Sequence, residues 1–355
     1  MSSVAGGASA ETPPAAPKGP EHSLRAPSTG RQLLERVMSL REGSIIVVTI
    51  ITAIYFSANT SSFFTGDNFK TLLPYFAPFA ILAAGEIFVM ILGEIDLSIA
   101  AMYLFAPIIF YKFCSGLGFA LVPGVIVTLL CCMAVGALNG FFVAVVGINS
   151  FVATLAMLFA FEGLALIISH GTPVATPGGQ PPLDTFGKIF GGGTYAEIIW
   201  AVAIIVILQV VLTFTRWGLY TVAIGSNKLG AAEAGVKVAA ITMRNFMLCS
   251  LTAGLAGIFE AVRSATVQPD PAGPNEYLFL AVAAAVIGGT LLTGGSGTVV
   301  GALIGALFLG ILKDGLILQG VNANYLLFYT GLAIFIAMTA NVFVGRVRRG
   351  HSGSG

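Results

Sequence analysis

Apolar and polar positions divide the chain into long apolar segments that are separated by short polar ones. A helix needs about 20 predominantly apolar residues to cross the hydrocarbon core of a bilayer. The pattern predicts ten such helices, of which the eighth is short and ends in glycines. Their approximate bounds are 44–64, 70–92, 97–114, 118–146, 149–168, 195–215, 239–262, 276–291, 297–318 and 323–344. We therefore expect an all-α polytopic membrane protein.

The composition agrees with this expectation. The 355 residues are 56% hydrophobic and 9% charged, whereas soluble proteins carry about 25% charged residues. The mean hydropathy is +0.92. The cysteines lie in apolar runs, without the spacing of a metal site or a disulfide framework, and we interpret them as small hydrophobic side chains. They are Cys114, Cys131, Cys132 and Cys249.

The distribution of positive charge predicts the orientation. An even number of spans places both termini on one side of the membrane, and positive residues are retained in the cytoplasm. Twelve of the 17 Lys and Arg residues fall in the two termini and in the loop after the sixth span, so both termini are predicted to be cytoplasmic. The predicted regions are a tail at 1–43 with a short amphipathic helix or a solvated linker at its end, a transmembrane domain at 44–345, and a tail at 346–355.

Residue patterns of catalysis and nucleotide binding are missing. The histidines lie in tails or a loop, and no zinc-protease motif, Cys/His cluster or Ser-His-Asp arrangement is present. The glycine-rich stretch at 288–298 lacks the Gly-Lys-Ser/Thr ending of a P-loop. We therefore expect no enzyme activity, no metal, no bound cofactor and no nucleic-acid partner. Any uphill transport would draw its energy from an ion gradient or from another subunit.

The largest inner loop, 216–237, contains a predicted short helix from Lys228 to Ala234. Ser226 or Asn227 can cap its start, and Gly235 follows its end, where a left-handed residue commonly stops a helix. Its small side chains permit close approach of a partner surface. An ordinary loop helix explains the pattern equally well.

Four motifs then show a specific resemblance. The loop sequence AIGSNKLGAAEAGV is similar to the coupling loop of permease subunits in bacterial ABC importers of the ribose/xylose/arabinose type, and GEIDLS at 93–98 resembles the GGIDLS of that family. Two further family motifs resemble residues 137–169 and 284–316. The resemblance covers about 44–345, in the order of the family. The chain departs from it at Glu94, Glu162 and Gly230, where the family commonly has Gly, Arg and Ala.

The resemblance implies a type II-like ABC importer permease in the bacterial cytoplasmic (inner) membrane. Such a subunit forms a translocation pathway for a monosaccharide or related small polar solute by alternating access. Its implied partners are a second permease copy or a paralogue, membrane lipid, a cytoplasmic ABC ATPase that holds ATP and Mg, and a periplasmic or lipid-anchored binding protein. The residues implied to couple to the ATPase are Asn227, Lys228, Ala231, Ala232, Glu233, Ala234 and Gly235.

Polar residues and glycines within the apolar segments are the candidates for a pathway or gate. They are Glu86, Asp96, Ser98, Asn139, Asn149, Thr154, Gly288 and Gly289. Asp96 could cap the third span or face the pathway, and the other polar side chains could line the pathway or join helices. Close helix packing is the alternative for the glycines. Candidates for docking a binding protein on the outer face are Lys188, Arg263, Asp270 and Glu276.

An ion-coupled secondary transporter is the alternative function, with Glu86 as a titrating carboxylate. Paired titratable groups at mid-span would favour this alternative, and the sequence lacks them. A response to a pH gradient by this chain alone, without an ATPase, would separate the two functions.

Overall fold

The structure, a computed structural model, describes residues 42–351, with side chains through residue 339. The predicted amphipathic helix at the end of the N-terminal tail lies, up to residue 41, outside the described residues. The described residues form thirteen helices and two short strands. In chain order these are α1 (Gly43–Asn59), α2 (Gly66–Ile91), α3 (Ile99–Tyr111), α4 (Leu121–Phe141), α5 (Ser150–Ser169), β1 (Val174–Ala175), α6 (Thr185–Gly187), α7 (Ala196–Phe214), α8 (Arg216–Ser226), α9 (Lys228–Glu233), α10 (Val238–Ser264), β2 (Thr266–Val267), α11 (Ala272–Ile287), α12 (Val299–Leu318) and α13 (Ala323–His351).

The predicted fold class is confirmed as an all-α polytopic membrane protein. Within the described residues, seven helices are long and apolar enough to cross a membrane. Three more apolar helices are shorter: Gly43–Asn59, Ala272–Ile287 and Ala323–Thr339. Each predicted apolar segment overlaps one of these helices. Helices α3 and α4 each continue as one wider helical turn, at Lys112–Gly116 and Phe142–Val146. The segment Lys188–Gly192 after α6 is kinked, because Phe190 and Gly191 leave the helical conformation.

Helix α2 lies at the centre of the fold. It is the most buried of the seven long helices, and it packs against α7, α10, α11 and α12. It contains Pro74 and Pro78, which membrane helices tolerate because neighbouring helices support the chain. A helix surrounded on all sides is buried in protein, so a polar group on it must find its partner within the protein.

Small residues bring α10 close to α4. A Cβ atom on Gly136 would lie 2.4 Å from the carbonyl oxygen of Phe246, and one on Gly140 would lie 2.5 Å from the Cα of Met243. Without a hydrophobic driving force between helices in lipid, such backbone contact supplies the packing energy.

Strands β1 and β2 pair in an antiparallel ladder. Val174 lies opposite Val267, and Ala175 lies opposite Thr266. The ladder joins the loop after α5 to the loop after α10, two loops that are far apart in the sequence. Together they form one surface at the end of the helix bundle where α10 ends.

Candidate functional site

The break between α2 and α3, residues 92–98, leaves backbone groups without helical partners. Four consecutive N–H groups, of Ile95, Asp96, Leu97 and Ser98, each donate to a side-chain oxygen. The acceptors are Ser150 Oγ at 3.2 Å, Glu86 Oε1 at 3.0 Å, Thr154 Oγ1 at 3.0 Å and Asp96 Oδ1 at 2.9 Å. Irregular backbone at membrane depth requires such partners because no lipid atom can supply them.

Glu86, on α2, accepts a hydrogen bond from the backbone of the break. Its side chain is fully buried, and its second oxygen accepts the thiol of Cys249 on α10 at 3.1 Å. Because each carboxylate oxygen binds a donor from a different part of the chain, Glu86 joins α2, α10 and the break. Cys249, expected to be a plain hydrophobic side chain, is therefore also a hydrogen-bond donor.

Asp96 shapes the entry to α3. Its Oδ1 accepts the backbone N–H of Ser98 and the Ser98 hydroxyl at 2.6 Å. Asn139 on α4 donates to Ser98 Oγ at 2.8 Å and, more weakly, to Asp96 Oδ1 at 3.4 Å. The bond to the Ser98 N–H spans two residues and forms a turn just before α3, whereas no side-chain bond caps the first turn of α3 itself. Asp96 Oδ2 and Asn139 Oδ1 have no hydrogen-bond partner among the described residues.

Most of the predicted pathway residues form one buried polar cluster. We define it by Glu86, Asp96, Ser98, Asn139 and Thr154, all of them buried. The sixth predicted side chain lies elsewhere: Asn149 is exposed and caps α5 by accepting the N–H of Phe151 at 3.0 Å.

The two predicted glycines belong to a second break, residues 288–298, between α11 and α12. Gly288 touches the start of α12, since a Cβ there would lie 2.3 Å from the carbonyl carbon of Gly301. Gly289 takes a left-handed conformation, with φ of +95°. Close packing and a turn, the alternative to a pathway role, describe these two positions.

The two breaks meet at one end of the bundle. The N–H of Gly295 donates to the carbonyl oxygen of Ile91 at 2.7 Å. Gly225, on α8, reaches the same point: a Cβ there would lie 1.7 Å from that carbonyl oxygen and 2.7 Å from Gly295 N. We call this meeting point of Ile91, Gly225 and Gly295 the three-way junction. Only a residue without a side chain fits at Gly225.

The predicted coupling helix is α9. Asn227 caps it by accepting the N–H of Gly230 at 2.9 Å, and Gly235 follows in the left-handed conformation. Ala231 is buried against Ile224 and Ile241. The remaining candidates are exposed; they are Asn227, Lys228, Ala232, Glu233, Ala234 and Gly235. Helix α9 is therefore anchored on one side and free on the other.

A second connection joins α8 to α2. The fully buried Asn245 on α10 accepts the indole N–H of Trp217 at 2.6 Å and donates to the carbonyl oxygen of Phe88 at 2.8 Å. The segment around the coupling helix thus contacts α2 both at the three-way junction and, through Asn245, one turn earlier.

The candidates for binding-protein docking lie at the other end of α10. Lys188 and Asp270 are exposed. Arg263 forms an ion pair with Glu260, and its Nε lies 3.4 Å from Glu197. Glu276 pairs with Lys313 at 2.8 Å. Lys188 and Asp270 are thus accessible to a partner, although Asp270 Oδ1 also accepts the N–H of Ala272 at 3.0 Å, and the other two candidates form ion pairs within the chain.

Comparison with known proteins shows the family of this chain. The family described as "Branched-chain amino acid transport system / permease component" matches residues 68–338. The chain belongs to this permease family. The xylose/arabinose import permease protein of Sulfolobus acidocaldarius is 33% identical over 86% of this chain and 86% of its own length. The ribose import permease protein of Escherichia coli K12 is 33% identical, over 87% and 96%. No solved structure matches the chain.

Several residues of this permease were missed by the sequence analysis. Leu229, at the exposed face of α9, is 78% accessible and is its largest apolar side chain. Cys249, Asn245 and Gln209 supply hydrogen bonds from helices remote in sequence. An amide or a thiol in an apolar segment was the available signal, but it does not identify the partner.

No group of three or more His, Cys, Asp and Glu side chains able to hold a metal occurs among the described residues.

Proposed function

We propose that the chain is the permease subunit of an ATP-driven, binding-protein-dependent importer. It forms the translocation pathway for a monosaccharide or related small polar solute by alternating access. The observation that carries the proposal is the contact of the coupling helix segment with both chain breaks at the three-way junction. The two relatives are named as import permeases for xylose/arabinose and for ribose, which supports the choice of solute.

The proposed topology has ten spans in the bacterial inner membrane, with both termini cytoplasmic. The three shorter apolar helices complete the seven long ones. Positive residues in the loop with α8 and α9 favour a cytoplasmic position for the coupling helix. The β1–β2 ladder and the exposed Lys188 and Asp270 then face outward, where a binding protein delivers the solute.

The proposed mechanism transmits ATPase closure through backbone contacts. Two ATPase subunits, which hold ATP and Mg, dock on α9 of this chain and of a second permease copy or paralogue. Motion of α8 acts on Ile91 at the three-way junction and on Phe88 through Asn245. Because residues 92–98 follow Ile91 directly in the chain, the motion reaches the buried polar cluster. Rearrangement of a two-state element of this kind is what alternating access requires.

Reconstitution tests the function. The permease, its ATPase and its binding protein are placed in proteoliposomes, and uptake of labelled D-ribose, D-xylose and L-arabinose is measured with and without ATP. Uptake of one sugar that requires all three components is the expected result. Uptake by the permease alone, driven by a pH gradient, would instead identify the ion-coupled secondary transporter.

Leu229→Asp tests the docking face. The charge should prevent burial of this apolar side chain against the ATPase and reduce both ATPase association and uptake at least tenfold. Leu117→Asp is the matched control, since Leu117 is 69% exposed and remote from α9. Equal loss in the two variants would show that α9 has no special role in coupling.

A further inference from the structure

A cavity of about 280 Å³ lies between α3, α10 and α11, next to strand β2. We call it the tyrosine cavity and define it by Tyr103, Gly257, Glu260, Thr266, Gln268 and Tyr277. Helix α10 has 27 residues, which is about 40 Å of helix length, and the cavity and the coupling helix lie at its opposite ends. The tyrosine cavity is therefore a membrane thickness away from α9, on the face proposed to receive the binding protein.

The wall combines aromatic rings with hydrogen-bonding groups. The rings of Tyr103 and Tyr277 meet edge to face, with centroids 5.4 Å apart. Glu260 is oriented by its ion pair with Arg263, and Gln268 is exposed on the loop above. Ligand sites are typically apolar walls with a few placed polar groups. Aromatic rings beside a carboxylate and an amide suit a molecule with apolar C–H faces and several hydroxyl groups.

Tyr103 carries an unsatisfied group at this wall. The residue is 6% exposed, and its hydroxyl has no hydrogen-bond partner among the described residues. A Cβ on Gly257 would lie 2.1 Å from the carbonyl oxygen of Tyr103, so the backbone of α3 is held closely against α10. A buried hydroxyl without a partner is unfavourable, and a ligand hydroxyl seated against Tyr103 would remove that cost.

We infer that the tyrosine cavity binds one neutral polyhydroxylated solute molecule at the entrance of the permease. The inference rests on the proposed function and deepens it. Solute leaving the binding protein occupies the cavity before it passes toward the buried polar cluster. Tyr103 and Gln268 hydrogen-bond its hydroxyls, and the rings of Tyr103 and Tyr277 contact its C–H face. The small number of polar groups keeps binding weak, as onward movement requires.

Saturation-transfer NMR on the purified permease–ATPase complex, without binding protein, tests the site. D-Ribose, D-xylose and L-arabinose are the probes. The expected result is a signal for the transported sugar that falls at least fivefold in Tyr103→Phe. Tyr75→Phe is the matched control, because the Tyr75 hydroxyl is also buried but the residue lines a different cavity. Its signal should equal that of the wild type.

A stability measurement separates binding from folding. Removing an unpartnered hydroxyl leaves the ring in place, so Tyr103→Phe should keep or raise the melting temperature while it loses sugar binding. Gln268→Ala, in an exposed loop, should lower the signal at least twofold.

An unchanged signal in both variants would overturn the inference. So would the absence of any sugar signal in a complex that transports one of the sugars, the result expected if a lipid chain fills the cavity. Failure of the wild type to transport any sugar would instead overturn the proposed function.

Discussion

The two chain breaks meet at the three-way junction but satisfy their backbone in different ways. In the first, residues 92–98, four consecutive N–H groups donate to side chains from α2, α5 and the break itself. In the second, residues 288–298, backbone N–H groups donate mainly to backbone carbonyl oxygens, as Leu291 N does to Ser296 O at 3.0 Å. At its end, the side chains of Thr298 and Gln209 cap α12.

Burial accounts for the difference. Asp96, Leu97 and Ser98, at the end of the first break, are buried, whereas Leu291 and Leu292, at the tip of the second, are 51% and 55% exposed. An enclosed N–H group without a partner carries the full cost of desolvation, so each needs a dedicated acceptor. An exposed turn can rely on glycine geometry. The first break should therefore be sensitive to the loss of oxygen atoms, and the second to the addition of Cβ atoms.

Glu86→Ala should have the largest effect. It leaves the N–H of Asp96 and the thiol of Cys249 without an acceptor, and we expect a loss of about 4 kcal/mol and no transport. Glu86→Gln keeps one oxygen and should cost about 1 kcal/mol. Unfolding in detergent, followed by tryptophan fluorescence, measures both. Glu94→Ala, a change in the same break outside the buried polar cluster, is the control and should be nearly neutral. Equal damage from Ala and Gln would point to the charge rather than the acceptor.

Asp96→Leu should come next, at about 3 kcal/mol, because the Ser98 N–H and hydroxyl lose their acceptor. Asp96→Asn retains an oxygen at the same place and should be mild in the same assay and in uptake. If both variants lose transport equally, Asp96 acts through its negative charge, and its hydrogen bonds to Ser98 are insufficient to explain its role.

Gly294→Ala tests the second break and should cost about 2 kcal/mol. Its φ is +85°, and the new Cβ would lie 2.8 Å from Gly93 N in the first break. Gly320→Ala introduces a side chain at a φ of +76°, but the new Cβ would have nothing within 4 Å. We therefore expect a loss of stability of about 1 kcal/mol. The difference between the two melting temperatures measures the contact of the breaks. Identical values would mean that the contact is readily relaxed.

Gln209→Ala should have the smallest effect, about 1 kcal/mol, typical of a lost helix cap. Its Oε1 accepts the N–H groups of Val299 and Val300 at 2.9 and 3.1 Å. Thr213→Val removes only the bond that the Gln209 amide donates within α7, and it should be milder still. Should the threonine variant be the more damaging one, orientation of Gln209 rather than capping would be the important contribution.

Local features were predictable from the sequence. The short helix α9, its Asn227 cap and its end at Gly235 depend on residues within a few positions of one another, and the structure has all three. The Glu260–Arg263 pair is equally local, at a spacing of three residues along a helix. The apolar segments also matched helices, because a membrane helix satisfies its own backbone and needs only length and apolarity.

Contacts between distant segments were not predictable. The N–H of Ile95 donates to the hydroxyl of Ser150, 55 residues away, and Glu86 accepts the thiol of Cys249, 163 residues away. Many hydroxyls, amides and carboxyls in the apolar segments are equivalent candidates in the sequence. Asn149 shows the consequence: it is polar and close to Ser150 in the chain, yet it is exposed and lies outside the buried polar cluster.

The sequence by itself determined the membrane class, the approximate helices, the capped short helix α9 and the polar residues that must be accounted for. Each of these follows from composition or from spacings of a few residues. Only the tertiary structure decided that the two breaks touch, that Gly225 meets them both, and that Tyr103 and Tyr277 enclose a cavity. These depend on which helix faces α2 and at what rotation, and packing of many weak contacts sets that arrangement rather than any local pattern.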